Sequence, residues 1–345
     1  MSAVYRVDLG VFADNLRRIR ETVAPAEHML VVKDDAYAHG LAAIVTRARD
    51  EGVRWFGAFD VETGVAVREF LGPDVRIFVW LLGGADDLAT GAAAGLDLGI
   101  GDQALLDALE ALPAGGPPAR VHLKIDTGLH RNGIRPERWD AALDSVAALV
   151  AAGRAELTGI WSHISEASDQ DDDDARALFL AAREAAAARG LTPAVAHLAA
   201  SAAGFARAPF REDLVRIGAF SYGIRPAGGP SDVELGIRPI GTVDAAVLDV
   251  AATAVHLDVG SLHGLPQTLA GRFDVRTPAG PRRVRGIEST RLVVDPWPGA
   301  QRGQRVAVFG GGAEVTATDL AELVDTIGEE IALRVSPVLP RVYEG

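Results

Sequence analysis

The chain has 345 residues, a formal net charge of −13, 48% hydrophobic and 23% charged residues, and no cysteine. This composition supplies apolar material for a large core and excludes a disordered chain; the missing cysteines exclude disulfides, thiolate chemistry and cysteine-ligated zinc. The acidic balance argues against nucleic acid as a partner, because phosphates need a basic face.

The N-terminus, Met1-Ser2-Ala3-Val4-Tyr5, lacks the basic and apolar regions of a signal peptide. No uninterrupted apolar run of about 18 residues marks a transmembrane helix. The expectation is a cytoplasmic protein with no membrane partner. Tyr5 to Leu9 alternates as a short strand, and Val11 to Val23 carries a helical apolar stripe. Met29 to Lys33 predicts a buried strand, 40–51 a helix, Trp55 to Phe59 a strand, 60–71 a helix and Val75 to Leu81 a strand. Helices over 86–94 and 103–112 flank a strand at Leu96 to Ile100. Strands at Arg120 to Ile125, Glu156 to His163, Ala194 to Leu198 and Leu214 to Ile217 alternate with helices over 136–152, 174–189 and 201–207. The acidic run Asp169 to Asp174 reads as a solvated loop, and no metal site is assigned to it.

Strands alternating with helices of this length predict βαβ units and parallel pairing. About eight strands before residue 220 favour a (β/α)8 TIM barrel, whose active residues lie at the C-terminal strand ends. Lys33, Lys124, His163, Ser201 and Arg216 all fall at or just after such ends. Beyond Pro226 the texture changes to glycine, proline and β-branched runs at 243–250, 254–259, 283–287, 290–294 and 305–309, with one helix over 317–324. The expected domains are therefore 1–228, an α/β barrel, and 229–345, a mostly β domain that also takes residues 1–9.

Lys33 and Lys124 are the only lysines among 34 basic residues. Arginine stays charged and cannot serve as an amine nucleophile; a buried or crowded lysine can lose its proton and form a Schiff base. Lys33 follows the apolar run Met29-Leu30-Val31-Val32, which favours a functional role over chance retention on the surface.

The motifs at the strand ends occur in a fixed order. They are Val31-Val32-Lys33-Asp34-Asp35-Ala36-Tyr37-Ala38-His39-Gly40, Lys124-Ile125-Asp126-Thr127-Gly128-Leu129-His130-Arg131, Trp161-Ser162-His163, His197-Leu198-Ala199-Ala200-Ser201 and Val215-Arg216-Ile217-Gly218-Ala219. With Pro340-Arg341-Val342-Tyr343 at the end, the series resembles the alanine racemase family of fold-type III, pyridoxal-phosphate-dependent enzymes over nearly the whole chain. The resemblance implies pyridoxal 5′-phosphate as cofactor, held by Lys33 as an internal aldimine, with Lys33 also acting as a base at the substrate α-carbon. It implies phosphate binding by Tyr37, Ser201 and the backbone amides of Gly218 and Ala219. Arg216 would face the pyridine nitrogen, Arg131 the cofactor oxygen and substrate carboxylate, and His163 the ring. Lys124 would support Arg131; in family members this lysine is often carbamylated. An amino-acid substrate and a homodimer with a shared active site follow from the same resemblance. Taken singly, Tyr37 and His163 also read as satisfied core residues, Ser201 as a helix N-cap and Arg216 as a buried ion-pair member.

The C-terminal half departs from the family pattern. Where the family has Gly-Tyr-x-Asp-Gly, this chain has Gly260-Ser261-Leu262-His263-Gly264, which puts Ser261 at the catalytic tyrosine. Ser289 replaces a methionine that lends its amide to the substrate carboxylate, and Glu329 replaces a phosphate-binding tyrosine. A serine hydroxyl is too short and too weakly acidic for the tyrosine's work, and loss of one acid/base group costs about 10²–10⁴ in rate. His263, two residues on, would share a strand face with Ser261 and is the candidate replacement; the alternative is an ordinary loop residue. Three functions stand: a racemase or epimerase for an amino acid other than alanine; one-base chemistry (elimination, decarboxylation or transamination); and a catalytically silent cofactor-binding homologue. The retained Lys33, Tyr37, Arg131 and Arg216 weigh against the third.

Overall fold

The computed structural model describes residues 2–113 and 115–345. The chain divides into two compact units, one made of Arg20–Lys33 and Ala48–Gly218, the other of Met1–Ile19, Asp34–Arg47 and Ala219–Gly345. In chain order the first nine strands are β1 (Val4–Asp8), β2 (Glu27–Val31), β3 (Trp55–Ala58), β4 (Arg76–Val79), β5 (Asp97–Ile100), β6 (Ala119–Lys124), β7 (Ala155–Trp161), β8 (Val195–His197) and β9 (Leu214–Ile217).

Strands β2 to β9 form the barrel of the first unit, in the order β8-β7-β6-β5-β4-β3-β2-β9, and every pair in it is parallel. No ladder joins the two end strands; the seam is held by Asp213 N–H to Ala196 O and Arg216 N–H to Ala199 O, both 3.2 Å. The result is a nearly closed eight-stranded TIM-like barrel. Its strands are buried along their length because helices cover the outside and side chains fill the inside. Met29, Trp55, Phe78, Trp161 and Leu214 form one core cluster, with Trp80 and Val195 packed against it. Each such side chain taken from water contributes about 1.5–3 kcal/mol.

The remaining strands are β10 (Gly241–Val250), β11 (Val255–Leu257), β12 (Asp274–Thr277), β13 (Gly280–Ile287), β14 (Leu292–Val294), β15 (Arg305–Gly310) and β16 (Arg341–Glu344). They join β1 in one curled sheet, ordered β12-β13-β14-β11-β10-β1-β16, with β15 also on β10. The strand at the start of the chain thus pairs in the β unit, antiparallel to β10 and parallel to β16. This unit also takes residues 10–19, 34–47 and 219–228, outside the span 229–345. Side-chain packing explains why: Phe12 and Tyr37 lie 6.0 and 4.7 Å from the Tyr222 ring, and the Asn15 amide donates to Ser221 O and Arg238 O.

Three local differences from the sequence reading have physical causes. The acidic run is no loop: the helix Asp169–Ala187 starts at its first residue. Ser168 caps it by accepting from Asp171 N–H, and the carboxylates of the first turn sit where the helix dipole favours negative charge. Second, β12, β16 and the helix Gly328–Leu333 were not foreseen, since each is short and without clear periodicity. Third, the β2 strand ends at Val31, and a left-handed turn follows Lys33. Among the described residues no helix is long and apolar enough to cross a membrane.

Candidate active site

The parallel barrel brings its C-terminal strand ends to one face. There β2 leads through Val32 to Lys33, β6 ends at Lys124, β7 leads to His163, and β9 carries Arg216 and leads to Gly218. Lys33 is half-buried, Lys124 and Arg216 are buried, and Arg131 in the loop after β6 is exposed. Burial first, then the positive charges of Arg216, Arg131, Lys124 and Lys33, pushes the His163 imidazole down to about 3. His163 is therefore neutral and sits among four cations. Lys124 Nζ lies 4.4 Å over the Trp161 ring, and burial with the charges of Arg216 and Arg131 lowers its ammonium to about 8. Asp126 is held below its usual range against the burial that would raise it, by hydrogen bonds from His130 and the Gly128 amide. An amine, an excess of positive charge and a neutral imidazole suit an anionic cofactor that attaches covalently to lysine.

Arg216 is held by four hydrogen bonds. Its guanidinium donates to His197 Nδ1 at 2.8 Å, to His163 Nδ1 at 2.9 Å, and to the carbonyls of Ser162 and Leu198 at 2.9 and 2.8 Å. Burial, and then the charge of Arg131, brings it down to about 9. The buried ion-pair alternative for Arg216 does not match these contacts: its partners are imidazoles and carbonyls. Ser201 is the first residue of the helix Ser201–Ala206, whose N-cap is Ala200, and its Oγ accepts from Gly218 N–H at 3.3 Å. Ser201 is therefore not the N-cap.

The β unit carries Tyr37, Ala219, Glu329, Ser261, His263 and Ser289. Asp34 to Ala38 all have positive φ, between 53° and 64°, giving a left-handed turn of five non-glycine residues. Such residues cost about 1–2 kcal/mol each, and the surrounding structure holds them. Leu41 N–H donates to Asp35 Oδ1 at 2.7 Å, Gly40 N–H to Asp35 O at 3.0 Å, and Arg341 reaches Ala38 O at 3.1 and 3.2 Å. Gly40 closes the turn at φ 94°, where a Cβ would lie 1.9 Å from the Tyr343 hydroxyl. The turn buries Tyr37, and burial followed by the charges of Glu329 and Asp34 pushes its phenol far up. Glu329, in the helix Gly328–Leu333, thus bears electrostatically on Tyr37.

Ser261 to His263 form a 3-10 turn. The extended backbone that would place Ser261 and His263 on one face is absent, because three residues per turn separate i from i+2. His263 Nδ1 accepts from Gly260 N–H at 3.0 Å, leaving Nε2 for other partners. Ser261 N–H and Leu262 N–H donate to Glu288 O and Ser289 O at 2.8 and 2.9 Å, so the segments of Ser261 and Ser289 meet. An open groove of about 480 Å³ beside them is lined by Ser261, Leu262, Gln267, Arg334, Ser336 and Pro337.

The sequence reading gave no role to His197, His122 or Asp97. The signal was present: imidazoles and a carboxylate inside apolar strands need polar partners within the barrel.

A family model described as alanine racemase, N-terminal domain, matches residues 7–226. The chain is 34% identical to an alanine racemase of Beutenbergia cavernae, over 98% of this chain and 97% of that protein. It is also 34% identical to one of Thermobifida fusca, over 99% and 97%. The fold is similar to the crystal structure of alanine racemase from D-cycloserine-producing Streptomyces lavendulae, with a TM-score of 0.93 and 29% identity, over 100% of this chain and 97% of that one.

Proposed function

Because the chain belongs to the alanine racemase family, we propose that it is a pyridoxal-phosphate-dependent, racemase-like isomerase whose amino-acid substrate is one other than alanine, worked through Lys33. Enzymes of this family use pyridoxal 5′-phosphate. When bound, that cofactor makes the α-proton of an attached amino acid acidic. The observation that carries the reading is Arg216, fixed by two imidazoles and two carbonyls at the barrel face that also holds Lys33.

Lys33 would supply the amine that holds the cofactor, and the same amine would hold or release a proton at the substrate α-carbon. Arg216 would sit at the ring nitrogen of the cofactor and, keeping its own protons, would offer that nitrogen a donor without transferring a proton to it. Arg131 binds the substrate carboxylate, with Lys124 beside it in support. His163, neutral, is a lone-pair acceptor for Arg216 and would support the ring. On the family pattern, Tyr37, Ser201 and the amides of Gly218 and Ala219 would hold the phosphate. In a homodimer, the β unit of the partner would bring Ser261, Ser289 and His263 to the site. The exposed Leu262, Ile327 and Val338 favour such an association.

Departure from alanine rests on Ser261, Ser289 and Glu329, which widen the substrate side and make it more polar. His263, through Nε2, is the candidate second acid/base. One-base chemistry is the second reading, favoured by the serine at the tyrosine position and by the engagement of His263 Nδ1 with Gly260.

The test is to load the protein with pyridoxal 5′-phosphate in D2O with L- and D-amino acids and to follow the α-proton and chirality. Deuterium uptake with inversion, lost in His263→Ala, supports the racemase; uptake with retention supports the one-base reading. Alanine as the best substrate by a wide margin would remove the substrate claim. No exchange with any amino acid, with the cofactor still fixed on Lys33 by borohydride, would leave a substrate outside the panel or the silent homologue.

A further inference from the structure

The hydrogen bonds of Arg216 do not stop at His197. His197 Nε2 lies 2.8 Å from His122 Nδ1, and His122 Nε2 lies 3.5 Å from Asp97 Oδ1. Asp97 in turn accepts from Arg76, at 2.9 Å through Nε and through a second guanidinium nitrogen, and from Thr158 Oγ1 at 3.1 Å. One polar line therefore runs through the barrel interior from β5 to β9, across two fully buried imidazoles and a fully buried carboxylate.

The chemistry of its two ends orders the line. Arg216 has only donors, so His197 Nδ1 must present a lone pair to it. The proton of neutral His197 then resides on Nε2 and points to His122 Nδ1, which accepts. The His122 proton is left on Nε2, facing Asp97, which has only acceptors. At 3.5 Å this last contact is long, but His122 Nε2 has no hydrogen-bond partner among the described residues. The other tautomer would aim a lone pair at a carboxylate in a dry interior, which is repulsive. Asp97 remains ionised: burial would raise it, but the hydrogen bonds and charge of Arg76, with His122 beside it, outweigh that and hold it well below the carboxylate range. Packing keeps the rings from turning. A Cβ on residue 159 would lie 2.4 Å from His122 Nδ1, Phe78 packs 5.0 Å from both imidazoles, and Trp161 stacks on His197 at 5.7 Å and 10°.

We infer that Asp97 and His122 are positioning residues for Arg216: together they fix His197 as its lone-pair acceptor and so set the guanidinium's placement at the barrel face. The role of Arg216 toward the cofactor ring rests on the proposed function; the tautomer order does not. A reversed His197 would set N–H against N–H and push the guanidinium away.

Imidazole 15N NMR on the full chain without cofactor reads the tautomers directly. His122 and His197 should both be neutral with the proton on Nε2; a proton on Nδ1 of either, or a cationic ring, overturns the inference. In Asp97→Asn the amide offers both donor and acceptor, so Nδ1–H signal should emerge at His122 and His197, and the absorbance band of added pyridoxal 5′-phosphate should shift. Asp97→Glu should restore the parent pattern. Unchanged tautomers and an unchanged band in Asp97→Asn also overturn the inference. Should Asp97→Asn fail to fold, the spectrum of the parent chain still decides. Failure of borohydride to fix the cofactor on Lys33 would count against the proposed function alone, because the tautomer result is obtained without it.

Discussion

A methyl group at position 159 would lie within 2.6 Å of three ring atoms of His122. The backbone there is not strained, so the glycine is needed for room. Gly159→Ala is expected to destabilise the protein by about 1–3 kcal/mol through overpacking, read as a lower denaturation midpoint, with His122 displaced. Phe78, fully buried against both imidazoles, should cost about 3–5 kcal/mol when truncated to alanine. A denaturation midpoint for Phe78→Ala within error of the parent would contradict the packing described. At this scale the sequence was informative about residue type and silent about partners. Lys33 and Arg216 stood out by rarity and position. His197, His122 and Asp97 did not, because His122 and His197 lie 75 positions apart in sequence and meet only once eight strands have closed.

The left-handed turn at Asp34–Ala38 shows the same limit for an element. Nothing in Asp34-Asp35-Ala36-Tyr37-Ala38 calls for positive φ, and no glycine marks it before Gly40. The contacts of Asp35 and Arg341 impose it. Asp35→Gly relaxes the backbone but removes the bond to Leu41 N–H, two opposing effects of about 1 kcal/mol, so its melting temperature should stay near the parent. Asp35→Pro cannot adopt φ 53° and should cost about 3 kcal/mol or more. Equal stability of the two variants would refute the strained turn. The helix start at Asp169 was, in contrast, legible: Ser168-Asp169-Gln170-Asp171 places a capping serine three residues before a carboxylate. Reading the run for charge alone hid the cap. Ser168→Ala should destabilise by about 1 kcal/mol, measurable by chemical denaturation.

For the whole molecule, five of eight histidines have depressed imidazoles, four of them buried and His163 half-buried: His28 and His163 to about 3, His39 to about 4, and His122 and His197 below the ordinary value. Burial is the first cause in each. These groups are neutral in the folded chain, whereas the unfolded chain takes up protons below about pH 6.5. The stability they leave intact is present above that pH and is lost as the pH falls toward the folded values. Each contributes a slope of about 1.4 kcal/mol per pH unit within its window. Cooperative acid unfolding is therefore expected between pH 6.5 and 4, before most carboxylates titrate. A denaturation midpoint flat from pH 7 to 4 would contradict these burials.

Periodicity and composition alone determined the barrel, because alternating strands and amphipathic helices each bury one face and leave few arrangements that do so. The same sequence, through rare lysines at strand ends, pointed to the face that bears Lys33, Lys124, His163 and Arg216. Tertiary structure decided the rest. It carried residues 10–19, 34–47 and 219–228 into the β unit, and it bent Ser261 to His263 into a turn. It also joined Asp97 to Arg216 through two imidazoles. Hydrogen bonds between distant residues have no local period, so a chain read along its length cannot display them; they exist only where the fold brings donor and acceptor within about 3 Å.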